Sequence, residues 1–111
     1  MASHVDELTV NYEEEGVQLV KELDKQVLSK GTWSTIIYKY CQWDNKKQAY
    51  GAPKFTIRRY RKRNDEYRQQ AKFNISSFDQ AEKVIAALQK WIDQAKQEGV
   101  TDGGAGDEAD A

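Results

Sequence analysis

From Lys54 to Ile75 the chain reads KFTIRRYRKRNDEYRQQAKFNI, and its two halves each alternate between apolar and basic residues. On an extended backbone successive side chains point to opposite faces, so Phe55 and Ile57 share one side while Lys54, Thr56, Arg58, Tyr60 and Lys62 share the other. Asn64-Asp65 supplies turn chemistry. Beyond it Ala71, Phe73 and Ile75 alternate against Arg68, Gln70, Lys72 and Asn74. Two neighbouring strands with this pattern constrain the fold strongly, because an isolated hairpin is not stable in water and its apolar side must be paired and covered by more of the same chain.

The remaining strands lie upstream. TWSTIIYKYCQW, Thr32 to Trp43, is dominated by β-branched and aromatic residues. As a strand it sets Trp33, Thr35, Ile37, Cys41 and Trp43 on one face and Ile36, Tyr38 and Tyr40 on the other. Residues 8–24 read as a hairpin. Leu8, Val10 and Tyr12 alternate, Glu13 to Gly16 turn, and Val17, Leu19 and Leu23 alternate again. Val17, Val20, Leu23 and Val27 also fit a helical stripe, although Gly16 and the β-branched residues favour a strand. Asp44 to Pro53 forms a connection, with the only proline leading into the next strand rather than lying within it.

One helix is expected from about Ser77 to Lys96. Ser77 and Gln80 have capping-box spacing, and Asp79 sits near the positive end of the helix dipole. Ala81, Val84, Ile85, Leu88, Trp91, Ile92 and Ala95 recur at helical spacing over an arc of about 140°, wide enough for two partners. Residues 97–111 read as an acidic disordered tail and residues 1–7 as a flexible N-terminus, leaving 8–96 as a single domain. A domain of this size buries only about 60–70% of its unfolded surface, which favours oligomerisation.

Charge is unevenly placed. Between Lys25 and Ile75 thirteen Lys and Arg stand against three carboxylates, a local balance of +10, although the whole chain has a formal charge of −1. A polyanion responds to the local field of such a segment rather than to the average. Other chemistries lack their parts. His4 is the only imidazole and Cys41 the only thiol, so metal clusters, cofactor ligation and histidine-based catalysis are not expected, and neither is an enzyme. Cys41 reads as a small core residue. With no membrane-length apolar run and no apolar signal region, a cytoplasmic protein without membrane contact is expected.

Several segments together resemble the single-stranded-DNA-binding core of the positive cofactor four transcriptional coactivators and their short bacterial relatives. They are Ile57-Arg58 followed by Tyr60, the acidic turn Asn64-Asp65-Glu66, the basic strand through Lys72, and the helix start at Ser77, Asp79 and Gln80. Val27-Leu28-Ser29 with Gly31 and Trp33 resembles the start of the second core strand in the bacterial relatives. The likeness runs from about Val17 to Trp91. Where the family has Lys-Gly before its last strand, this chain has Lys72-Phe73, and the register of the fifth strand stays open. The resemblance implies an α+β fold: a curved antiparallel sheet of four to five strands followed by one C-terminal helix, dimeric through that helix, with single-stranded DNA in a channel. It places DNA contacts at Lys54, Arg58, Tyr60, Arg68 and Lys72.

The functional expectation is a sequence-nonspecific single-stranded-DNA-binding protein of transcription-cofactor type, with RNA as a further possible ligand. Lys39 and Lys62 join the basic contacts. Stacking candidates are Trp33, Tyr38 and Trp43, besides Tyr60 and Tyr67, since unpaired bases stack on exposed rings. Val84, Leu88, Trp91 and Ile92 form the expected homodimer contact. The alternative is a protein-interaction or assembly module whose basic sheet meets an acidic partner and no nucleic acid.

Overall fold

A computed structural model describes residues 4–100, so most of the expected acidic tail lies outside the described residues. The chain forms a curved antiparallel sheet followed by one helix. In order the elements are a 3₁₀ turn (Val5–Glu7), β1 (Tyr12–Glu14), β2 (Val17–Ser29), β3 (Trp33–Asp44), β4 (Ala49–Tyr50), β5 (Lys54–Arg63), β6 (Glu66–Ile75) and α1 (Phe78–Gln97). The sheet runs β1-β2-β3-β5-β6, and β4 pairs with the end of β3 beside this path.

Segment 17–27, which could also be read as a helix, is a strand. Glu15 and Gly16 both take positive φ, 51° and 81°, in a two-residue turn that suits the strand twist and returns the chain antiparallel. Asn64 and Asp65, at φ 52° and 65°, do the same between β5 and β6. Their side chains tolerate the left-handed region better than most. The β1–β2 hairpin is shorter than the alternation of Leu8, Val10 and Tyr12 suggests, for Leu8 and Val10 precede the strand.

Those residues have another task. Within the expected flexible start, Val5 is buried, and together with Leu8 and Val10 it packs on Ile36, Tyr38, Tyr40 and Tyr60 to form the core. Residues 4–11 therefore lie as a strap across one face of the sheet. The Lys25 ammonium donates to the carbonyls of Val5, Asp6 and Leu8 at 3.1, 3.1 and 2.5 Å, satisfying backbone acceptors that no ladder reaches. Asn11 Oδ1 accepts from the Glu22 backbone N–H at 2.7 Å and ties down the far end.

α1 begins as its sequence suggests. The Ser77 hydroxyl accepts from the Gln80 N–H at 3.1 Å, and Gln80 Oε1 accepts from the Ser76 N–H at 3.0 Å. Gly99 at φ 77° ends it, donating to the Lys96 carbonyl. The helix touches the sheet chiefly through its start, where Phe78 lies 6.1 Å from Phe55. Ile85, Leu88, Trp91 and Ile92 remain 46–64% exposed. Among the described residues no helix is long and apolar enough to cross a membrane.

Candidate functional site

Directly opposed residues share a face, so the strand registers sort the basic residues into two groups. Ile36 pairs with Arg58, Tyr38 with Thr56, Ser34 with Tyr60 and Tyr40 with Lys54. Across β5 and β6, Arg58 faces Lys72 and Lys62 faces Tyr67. Lys54, Arg58, Tyr60, Lys62 and Lys72 thus share one face, as expected, but it is the face the strap covers.

That cover changes what its rings can do. Tyr60 is 5% exposed and Tyr38 fully buried, and their hydroxyls bond to each other at 3.0 Å. Neither offers the open ring that stacking requires. Burial is the main reason both phenols titrate above their ordinary range, reinforced at Tyr38 by its hydrogen bond with Tyr60. Alternation along β5 sorts residues between faces correctly, yet it cannot say which face receives the strap, since Lys54, Arg58 and Lys62 make that side look solvated.

The cations at the strap's margin are tied into a polar row. Arg58 Nε donates to Thr56 Oγ1 at 3.3 Å and Arg58 Nη1 to Gln69 Oε1 at 2.8 Å, while Thr56 donates to Asn74 Oδ1 at 2.7 Å. Lys54 donates to Gln42 Oε1 at 2.8 Å. Lys62 lies 3.7 Å from Asp65 and over the Tyr67 ring. Arg58, Lys72 and Asn74 line one wall of a cleft of about 380 Å³ whose other wall includes Thr9 to Tyr12.

The opposite face holds Lys39, Arg68, Trp33 and Trp43, so the expected site residues do not form one surface. Arg68 changes sides because the register shifts between Arg59 and Tyr60. Such a bulge reverses the facing of every residue beyond it. Arg68 consequently stands opposite Arg61, beside Arg59 and Arg63. Trp43 packs edge-on against Tyr50 at 5.1 Å as part of the β3–β4 corner. Trp33 instead has Arg59 and Arg61 over its ring, at 4.4 and 5.3 Å from the centroid.

Sequence reasoning missed Arg59, Arg61 and Arg63. They follow Phe55 and Ile57 at every second position, so this side of β5 turns from apolar to basic halfway along. That change of character was the available signal. The open face is divided accordingly: Ile37, Phe55, Ile57, Phe73 and Ile75 occupy the half nearer the helix start, and Trp33 with the arginines occupies the other. No protein-family model, no characterised protein and no solved structure matches this chain.

Proposed function

We propose that this protein binds single-stranded nucleic acid without sequence preference, in the manner of the transcription cofactors it resembles, and that it does so as a homodimer. The observation that carries the reading is the accumulation of cations on one hairpin. β5 and β6 bear Lys54, Arg58, Arg59, Arg61, Lys62, Arg63, Arg68 and Lys72 against Glu66 alone, with Asp65 in the turn between them. This positive field belongs to an antiparallel sheet with one face open, which suits an extended polyanion better than a duplex whose base faces are hidden.

The dimer is supported by what the fold lacks. Stable domains pack two layers around a core. Here one sheet face has only the strap, the other has an apolar half, and the helix carries an apolar stripe that its own sheet does not cover. A second copy supplies the missing layer for both.

The test is a fluorescence-polarisation titration with single- and double-stranded oligonucleotides over a range of salt. Single strands should bind more tightly, with log K falling by about 0.7 per phosphate neutralised for each decade of salt. Equal affinity for both forms, or binding that ignores salt, would reject the proposal. Tight binding of an acidic polypeptide in place of either oligonucleotide would favour a protein-assembly role.

A further inference from the structure

We infer that Trp33, with its flanking arginines, is a nucleotide subsite on the open face, the indole stacking an unpaired base while Arg61, Arg63 and Arg68 hold the neighbouring phosphates. The inference rests on the nucleic-acid reading above and locates the ligand on the side of the sheet away from the strap.

Its first support is the composition of the patch. Trp33 is directly opposite Arg61, and Arg61 is directly opposite Arg68 on the next strand, so three adjacent strands contribute to one surface. Like charges placed opposite each other destabilise a sheet. Two guanidinium groups are gathered at the Trp33 indole, at 4.4 and 5.3 Å from its centroid. Glu66, 2.8 Å from Arg68 and directly opposite Arg63, offsets part of this charge. Among the described residues Arg61 and Arg63 form no ion pair. A bound polyanion relieves this repulsion.

The second support is the ring itself. Guanidinium planes and an indole stack on nucleobases through the same flat, polarisable faces. Trp33 is only partly buried, whereas Tyr38 and Tyr60 on the other face are sealed beneath the strap. Alternate residues on a strand lie about 6.6 Å apart, so Arg59, Arg61 and Arg63 form a row along which an extended phosphodiester chain can run. An acidic peptide could meet the charges but would leave the indole unused.

The experiment compares wild type, Trp33→Leu, Trp33→Phe and Trp43→Leu for binding an oligothymidylate, inorganic polyphosphate and polyglutamate, with circular dichroism confirming that each variant is folded. Trp33→Leu should weaken oligothymidylate binding about tenfold or more, the loss expected for one stacked base. Polyphosphate affinity and the salt slope should be unchanged. Trp33→Phe should recover most of the loss, and Trp43→Leu should bind as wild type. If wild type binds the oligothymidylate and Trp33→Leu binds it equally well, the subsite is wrong while the general function stands. Equal losses for oligothymidylate and polyphosphate would reduce Trp33 to a support for the arginines and also overturn the inference. Failure of wild type to bind the oligothymidylate, or tighter binding of polyglutamate, would remove the nucleic-acid reading itself.

Discussion

The hydroxyls of Tyr38 and Tyr60 are each other's hydrogen-bond partner in the buried layer beneath the strap. Removing one strands the other without water, which costs about 1–3 kcal/mol, whereas removing both leaves two rings of nearly the same shape and little net change. Urea denaturation should therefore show Tyr38→Phe or Tyr60→Phe destabilised by about that amount and the double variant close to wild type. Equal and additive losses would mean the pair is not coupled. The same burial predicts a response to alkali. Both phenols titrate higher in the folded protein than their ordinary value, so the unfolded chain releases these protons first as pH rises. Their contribution is intact below about pH 10, the ordinary tyrosine value, and is lost as pH climbs from there toward the folded-state values. The urea midpoint should fall above that pH in wild type and less steeply in the double Phe variant.

Among the elements, the strap is the least obvious and the most consequential. Leu8 is 8% exposed and packs within the main core, so Leu8→Ala should cost about 2–5 kcal/mol, as for a buried leucine in a central element. A dispensable leader would lose almost nothing, and a denaturation curve separates the two outcomes. Strands β3, β5 and β6, the turns at Gly16 and Asn64-Asp65, and the capped start of α1 were all legible, because each is written in local alternation or in a residue with a specific backbone preference. Two things were not. Whether the Arg58–Tyr60 side of β5 is open depends on Val5, Leu8 and Val10, about fifty residues away and separated from it by the β1–β2 hairpin. The side taken by Arg68 depends on a one-residue bulge at Gln70 of β6, opposite Arg59 and Tyr60, a feature that leaves the composition of the strand unchanged. Both scatter the expected site residues over two faces without altering the list of elements, and so a sound reading of the fold could still misjudge which rings are open.

On the scale of the whole molecule, the described chain extends 53 × 39 × 17 Å. α1 meets its own sheet chiefly at Phe78, beside Phe55, so 52% of Phe73 is exposed on the apolar half of the open face while 61% of Trp91 is exposed on the helix. A two-fold axis can join the helix of one copy to the apolar half-sheet of the other twice over, as an isologous contact requires. Covering the exposed stripe and Phe73 on both copies removes on the order of 1,000 Å² of surface, near the lower bound for a specific interface. Such a contact would leave the basic half with Trp33 uncovered, so the proposed dimer and the proposed nucleic-acid site are compatible. Equilibrium sedimentation should show a dimer at micromolar concentration, and Trp91→Asp should dissociate it. The decisive variant is Phe73→Asp. If each helix packs on the partner's sheet, it too should yield monomers; if the helices meet only one another, the Phe73→Asp protein should remain a dimer. A wild-type protein that sediments as a monomer would exclude both arrangements and leave the uncovered helix stripe to a different partner.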